Sequence, residues 1–129
     1  MIWSLAEIDS AVRASWAADT CSDDDAAREP WTSDNPSWGH CDVTALVLHD
    51  LLGGDVLMGE VHVDGEQQGY HAWNRLAAGL EVDLTREQFK DGQVVTAGQA
   101  VARPAARPVR RQAEYELFRQ RVMQRLRDG

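Results

Sequence analysis

The sequence predicts an α+β fold in which a buried helix packs on an antiparallel sheet and further helices flank both. Two patterns carry this prediction. Residues 41–52 are apolar around most of a helix, which is typical of a helix inside a fold. Three strand-like runs follow at 55–63, 69–76 and 80–84, and their short connections favour an antiparallel meander.

Length and composition indicate one ordinary domain. The chain has 129 residues, of which 43% are hydrophobic, so it can build a core and is not a disordered chain. We expect a single domain over 1–129, with its core in 3–97 and a basic helix at about 109–127. No apolar run reaches the roughly 18 residues of a membrane span. The N-terminal residues have no basic region followed by an apolar run, so we expect no signal peptide. With two cysteines, Cys21 and Cys41, we expect a cytoplasmic protein with free thiols and no membrane partner.

The N-terminal part combines a helix with a long irregular segment. Ser4 and Glu7 have the spacing of a capping box, and apolar residues recur at helical spacing, so we predict a helix over 4–18. Residues 19–38 contain two prolines and many Asp, Ser and Asn residues, which favour turns. We expect this segment to lie against the body, either as a fixed loop or as a lid.

Charge is divided unevenly along the chain. Residues 1–102 carry 18 acidic and five basic side chains, a net charge of −13, whereas 103–129 carry eight arginines and three acids, a net charge of +5. A basic tail on an acidic body occurs in nucleic-acid-binding proteins. Because an acidic body repels phosphate, we expect instead that the tail packs on the body, and we do not expect a nucleic-acid partner.

Cys41 is the first candidate for chemistry. It opens the predicted buried helix, directly after Trp38, Gly39 and His40. Unpaired N–H groups and the helix dipole favour the thiolate, the reactive form of cysteine. The neighbouring carboxylate of Asp42 disfavours it. The local pattern therefore fits either a nucleophile or a small buried side chain.

His71 and Asp83 supply the other two groups that a cysteine nucleophile needs. They fall on the second and third predicted strands, nearly opposite each other across a turn at 77–79. Opposed residues share a face of a sheet, so Asp83 is placed to orient the imidazole and His71 to accept the proton of Cys41. We therefore predict a Cys41–His71–Asp83 triad. Taken alone, His71 also fits a satisfied strand histidine, and Asp83 also fits a cap.

Further side chains are expected to line a substrate pocket. Trp38 and Trp73 flank Cys41 and His71 in sequence and can wall an apolar slot, although tryptophans are commonly core anchors. Asn74 is a second candidate to orient His71, but residues three apart lie on opposite faces of a regular strand, which favours Asp83. The predicted pocket residues are Trp38, Gly39, His40, Trp73, Asn74, Cys21 and Trp31.

The cysteines and histidines do not predict a metal site. Cys21, Cys41, His40 and His71 are candidate zinc ligands, but the chain has no CxxC or HxxxH pair of the kind found in structural zinc sites. Cys21 fits a buried or site-lining thiol, and a redox partner of Cys41 is the other possibility. We expect no metal and no cofactor.

Two resemblances follow from these residues. A cysteine at a helix start, with His and Asp on successive antiparallel strands, resembles the papain-like and transglutaminase-like cysteine enzymes, which include the arylamine N-acetyltransferases. The strings GHCDVTAL at 39–46, HAWN at 71–74 and VDLTREQF at 82–89 resemble more closely the YunG-like family of small uncharacterised bacterial proteins. This closer resemblance covers about residues 3–92.

The resemblance to cysteine enzymes implies a role for each triad residue. Cys41 would be the nucleophile, His71 the base and Asp83 the orienting carboxylate, with the Cys41 N–H in the oxyanion hole. His40 stands where the YunG-like pattern has glutamine, so a side-chain donor at this position would differ here.

These observations predict a small cysteine-dependent hydrolase or acyltransferase that acts on an amide, thioester or ester. Its substrate would be a peptide or a small molecule. The alternative is a binding or accessory module of the same fold, whose cleft holds a peptide or small ligand without chemistry at Cys41. The residues indicate neither the exact substrate nor the oligomeric state.

Overall fold

The structure is a computed structural model that describes residues 3–89, 92–101 and 109–128, the last range with side chains from 111 onward. It confirms the predicted α+β class. The extreme ends of the predicted domain, 1–2 and 129, lie outside the described residues. The elements are α1 (Leu5–Ser15), α2 (Asp23–Arg28), α3 (Cys41–Leu52), β1 (Asp55–Val63), β2 (Glu66–Arg75), β3 (Glu81–Val82), β4 (Gln93–Val95), β5 (Gln99–Val101) and α4 (Val109–Asp128), with short 3-10 turns at Ala18–Thr20 and Arg86–Gln88.

Helix α1 begins where the sequence predicts and ends earlier. The hydroxyl of Ser4 accepts from the Glu7 N–H at 3.1 Å, and the Glu7 carboxylate accepts from the Ser4 N–H at 2.9 Å. This is the predicted capping box. The helix stops at Ser15 rather than at residue 18, because Trp16 has extended backbone and its side chain is buried in the core.

The segment 19–38 is less irregular than predicted, because it contains α2. Ser22 caps this helix, and its first turn holds three aspartates, which the positive end of the helix dipole favours. The same residue types are typical of turns, which explains the wrong prediction. The segment lies against the body as expected, since Ser37 Oγ donates to the Thr85 carbonyl at 3.3 Å.

The sheet is antiparallel, with the order β3-β2-β1-β4, and β5 also pairs with β1. The short connection between β1 and β2 is a hairpin turn at Asp64 and Gly65, which both have positive φ. Strand β4 pairs with β1 through residues 93–95. Strand β3 has only two residues, fewer than the predicted 80–84, and β5 was not predicted.

Helix α3 lies between a helical layer and the sheet. It spans the predicted residues 41–52, and residues 43–48 are all buried. A smaller cluster of Ala45, Val56 and Ala72 joins its other side to the sheet, and Cys41 packs against this cluster. The main core, which lies between α1, α3 and α4, contains Ile8, Ala11, Val12, Trp16, Val43, Leu46, Val47, Leu48, Tyr115, Phe118, Val122 and Leu126.

The basic helix α4 packs on the acidic body, as predicted. Arg121 pairs with Asp19 through two hydrogen bonds of 2.6 and 2.8 Å, and Arg119 lies 3.4 Å from Asp50. None of the helices in the described ranges has both the length and the apolar character that crossing a bilayer requires.

Candidate active site

Cys41 is the first residue of α3 and lies at an open edge of β2. Within the described residues, β3 pairs only with Asn74 and Arg75, so the outer edge of β2 is uncovered before Asn74. On this edge the backbone N–H of Ala72 hydrogen-bonds to the thiol of Cys41. The thiol therefore lies beside the peptide that joins His71 to Ala72.

His71 approaches this edge from the other face of the sheet. Ala72 and Asn74 face α3, where the Asn74 amide donates to a backbone carbonyl of that helix at 2.9 Å. Strand alternation puts His71 and Trp73 on the opposite face. The His71 ring is 1% exposed, stacks on Trp73 with centroids 5.5 Å apart, and meets Phe89 edge to face at 4.6 Å.

Asp83 fixes the orientation of this imidazole. Its Oδ2 lies 2.6 Å from His71 Nε2, and its Oδ1 accepts from both the N–H and the hydroxyl of Thr85 at 3.2 Å. A carboxylate only accepts, so Nε2 carries the proton and Nδ1 is the basic nitrogen. Nδ1 is buried and has no hydrogen-bond partner among the described residues. This arrangement is typical of a general base.

The strand register differs from the prediction by two residues. Asn74 lies opposite Val82, and the same register puts Asp83 opposite Trp73 rather than opposite His71. Asp83 therefore meets His71 diagonally. Diagonal neighbours share a face of the sheet and remain within reach of long side chains.

The surroundings of Cys41 favour its neutral form. Burial raises the pKa of the Cys41 thiol to about 12, the carboxylates of Asp42, Asp25 and Asp83 also raise it, and the Ala72 N–H lowers it. Desolvation thus outweighs the expected effect of the helix N-terminus. The thiol is protonated at neutral pH, and a nucleophilic attack by Cys41 requires a base.

Two cavities border the residues of the predicted triad, one beside Cys41 and the other beside His71. The first, which we call the Cys41 cavity, has about 360 Å³ and is lined by Cys41, Trp38, Tyr70 and side chains of α2. It gives the thiol a bounded space in which a ligand group can lie.

The second, which we call the His71 cleft, has about 670 Å³ and is lined by His71, Asp83, Trp73 and the segment 95–98. Phe89 and Gln93 border both cavities. These two side chains therefore stand where a ligand would pass from the imidazole to the thiol.

The chain matches the family model described as YunG protein over residues 4–127. It belongs to the YunG family. The "Uncharacterized protein YunG" of Bacillus subtilis (strain 168) is 40% identical over 60 residues, which are 46% of this chain and 47% of that relative. The match therefore spans about half the length of the relative. No solved structure matches the chain.

The predicted pocket residues of this YunG-family chain are divided between the cavities and the interior. Trp38 lines the Cys41 cavity and Trp73 lines the His71 cleft. Asn74 is buried on the α3 face and does not contact His71 in place of Asp83.

Gly39 and Cys21 form a tight contact under the start of α3. Gly39 has φ +75°, and a Cβ at this position would overlap the Cys21 sulfur. Both residues are buried, and burial raises the pKa of the Cys21 thiol to about 11. Neither residue lines the two cavities.

His40 and Trp31 lie away from both cavities. His40 is fully buried in the helical core, where its Nδ1 donates to the Trp38 carbonyl at 2.7 Å. Its ring therefore does not face Cys41 as an oxyanion donor. Trp31 is half-buried, and its Nε1 donates to the Pro36 carbonyl at 3.0 Å, which closes the loop on itself.

Sequence reasoning missed three residues around the site. Phe89 ends a string that resembles the YunG family, which was the one available signal for it. Gln93 had no signal. Arg111 is one of eight arginines in the tail, and nothing in the pattern distinguishes it from the others. Among the described residues, no group of His, Cys, Asp and Glu is arranged to hold a metal ion.

Proposed function

We propose that this protein is a cysteine-dependent hydrolase or acyltransferase that acts on an amide, thioester or ester of a peptide or small molecule. Cys41 is the nucleophile, His71 the base and Asp83 the orienting carboxylate. The observation that carries the proposal is the buried His71 ring. It has Asp83 at 2.6 Å from Nε2, no described partner at Nδ1, and the thiol beside its own peptide.

The proposed reaction begins with attack of the Cys41 sulfur on the substrate carbonyl carbon. The thiol proton moves to His71 Nδ1 as the C–S bond forms, and Asp83 stabilises the resulting imidazolium. The N–H of Cys41, at a helix start without an intrahelical partner, is available to the oxyanion. The imidazolium then gives its proton to the departing amine, alcohol or thiol, which leaves an acyl thioester on Cys41.

The second half of the reaction releases the acyl group. His71, again neutral, accepts a proton from water or from an acceptor amine as either one attacks the thioester. Collapse breaks the C–S bond, and the proton returns from His71 to the sulfur. Water gives hydrolysis, and an amine gives transfer.

The proposal includes a distant relationship to papain-like and transglutaminase-like enzymes. It is supported by the order of the three residues and by their placement, with Cys41 at a helix start, His71 on β2 and Asp83 directly after the end of the antiparallel strand β3. The His–Asp hydrogen bond also supports it.

A binding module is the second candidate function. It is favoured by the raised pKa of Cys41 and by the lack of a hydrogen bond between its sulfur and His71 Nδ1. In this case the His71 cleft of about 670 Å³ holds a peptide or small ligand, and the thiol is structural.

Formation of an acyl-enzyme distinguishes the two functions. The full chain is mixed with p-nitrophenyl acetate at pH 7.5, nitrophenolate release is followed, and the protein mass is measured. We expect a burst of one equivalent, one acetyl group on Cys41, loss of both in Cys41→Ser and retention of both in the matched Cys21→Ser variant. Acetylation that is equal in Cys41→Ser, or absent throughout, would refute the enzyme and favour the binding module.

A further inference from the structure

We propose that Arg111 of α4 is a positioning residue that sets the reactivity of Cys41 by neutralising Asp42 and holding the backbone that precedes the thiol. The inference deepens the proposed function, because it rests on Cys41 as the reacting group. It assigns a role in the site to the C-terminal helix, which lies about 70 residues beyond the cysteine in the sequence.

Arg111 makes a two-point contact with the residue next to Cys41. Its Nε donates to Asp42 Oδ2 at 2.9 Å, and its Nη2 donates to Asp42 Oδ1 at 3.0 Å. The Arg111 side chain is only 11% exposed, whereas that of Asp42 is 34% exposed, so solvent reaches this pair mainly from the carboxylate side. The paired planar groups have the fork geometry that is specific to arginine.

The same guanidinium also binds two backbone segments that precede the start of α3 in the sequence. Nη2 donates to the carbonyl of Thr20 at 3.1 Å and to that of Gly39 at 3.3 Å. The Gly39 carbonyl additionally accepts from the Ser22 N–H at 3.0 Å. Arg111 therefore joins the two segments that meet under the first turn of α3.

Electrostatics give this contact a chemical consequence. The Asp42 carboxylate adjoins Cys41 in the sequence, and its negative charge disfavours a thiolate there. The Arg111 cation bonded to that carboxylate opposes its field at the sulfur, although Glu114 also accepts from this guanidinium at 3.4 Å. Asp25 and Asp83 are the other carboxylates that act on the thiol, and neither is bonded to Arg111. Without Arg111, the thiol faces an uncompensated negative charge just when the attack requires it to lose a proton.

Another arginine of α4 provides a matched control. Arg121 also makes a two-point contact, with Asp19, but that pair is on the surface, with side chains 32% and 55% exposed. Loss of Arg121 removes the same charge from the same helix and leaves Asp42 paired.

The test is the rate of iodoacetamide alkylation of Cys41 from pH 7 to pH 10 in the full chain carrying Cys21→Ser. Below the thiol pKa, this rate is proportional to the thiolate fraction. We expect Arg111→Gln to displace the profile by about one pH unit, which is a tenfold lower rate at each pH. Asp42→Asn is expected to raise the rate about tenfold, the double variant to return near the parent, and Arg121→Gln to change nothing.

The direction in which Arg111→Gln changes the alkylation rate distinguishes this role from a purely structural one. If Arg111 only braces the fold, its loss loosens the helix start and exposes the thiol, so Arg111→Gln reacts faster than or as fast as the parent. Either outcome overturns the proposal. If Arg111→Gln does not fold, as judged by its thermal transition, Asp42→Asn decides, and an unchanged rate in that variant overturns the proposal. Arg111→Lys, which keeps the charge without the fork, is expected to lie between the parent and Arg111→Gln.

Failure of the proposed function is distinguishable. In that case p-nitrophenyl acetate leaves no acyl group on Cys41, whereas the effect of Arg111→Gln on alkylation persists. Failure of the Arg111 inference leaves the acyl-enzyme intact and removes only the shift between variants.

Discussion

The helical core around His40 and the sheet edge around His71 both enclose a histidine almost completely, with exposures of 0% and 1%. In the core, both ring nitrogens of His40 have partners. Nδ1 donates to the Trp38 carbonyl at 2.7 Å, and Nε2 lies 2.8 Å from the Thr20 hydroxyl. At the sheet edge, His71 has Asp83 at one nitrogen and no described partner at the other.

The difference shows what burial of an imidazole does in each place. His40 is neutral and satisfied, packs near the rings of Trp16 and Phe118, and borders neither cavity. It therefore acts as a core residue. An unsatisfied buried nitrogen costs about 1–3 kcal/mol, and the residue that carries it here, His71, lines the His71 cleft. This cost is consistent with a nitrogen reserved for a proton or a ligand.

The substitution Asp83→Asn is expected to have the largest effect, because it removes the carboxylate charge that distinguishes the surroundings of His71 from those of His40. An amide at this position does not fix the tautomer with a basic Nδ1 and does not stabilise an imidazolium. We expect the rate of Cys41 acetylation by p-nitrophenyl acetate to fall about 1,000-fold, or about 4 kcal/mol. Asp55→Asn, which alters an exposed carboxylate paired with Arg75, is the control and should leave the rate unchanged. A tenfold loss or less would show that Asp83 is a cap rather than an orienting group.

Gly39→Ala is expected to have the next largest effect, since Gly39 lies in the loop between the two regions. Its positive φ and its contact with the Cys21 sulfur both exclude a Cβ. We expect the free energy of unfolding in urea to fall by about 2–3 kcal/mol. Adding Cys21→Ala should recover part of the loss by removing the overlap. Equal stability of Gly39→Ala and the parent would contradict this packing.

The pH dependence of stability is the smallest expected effect and isolates the core histidine. Burial lowers the pKa of His40 from 6.5 to about 4. The unfolded chain thus takes up this proton near pH 6.5 and the folded chain only near pH 4, so the stabilisation is complete above pH 6.5 and is lost as pH falls. We expect about 2 kcal/mol of this loss between pH 7 and pH 5.

His40→Gln is the variant that measures this contribution. Carboxylates titrate equally in both proteins, so the difference between their urea-unfolding profiles reports His40 alone. We expect a shallower decline in His40→Gln, with Cys41 acetylation at pH 7.5 retained. Identical declines in the two proteins would show that groups other than His40 cause the loss of stability at low pH. A loss of acetylation would show that His40, like His71, contributes to the reaction of Cys41.

Local patterns in the sequence were sufficient for the scaffold of the site. Helix α3 and the β1–β2–β3 meander follow from periodicity, caps and turn residues, which act between near neighbours. The existence of the short elements α2 and β5 could not be predicted in this way. Helix α2 is short and begins with residue types that are typical of turns, and β5 has only three residues. Neither element therefore has a periodic pattern long enough to identify it.

The division of roles within the site depends on contacts between distant residues. Sequence spacing placed His71 and Asp83 on one face of the sheet, but it placed His40 in the pocket because it precedes Cys41. Its actual environment is set by Thr20 and by Phe118, which lie 20 and 78 residues away in the chain. The burial that raises the pKa of Cys41 also arises from contacts between residues that are distant in the sequence, and no local motif predicts it.

The pH dependence of Cys41 acetylation in the presence and absence of His71 tests the central claim most directly. The rate is measured from pH 5 to pH 10 in the Cys21→Ser background, with and without His71→Gln. With His71 as the base, the parent reacts through the neutral range. The His71→Gln variant does not react in the neutral range, and its Cys41 is acetylated only as the pH approaches the raised thiol pKa of about 12. Two profiles that coincide would contradict the account and leave Cys41 an ordinary half-buried thiol at a helix start.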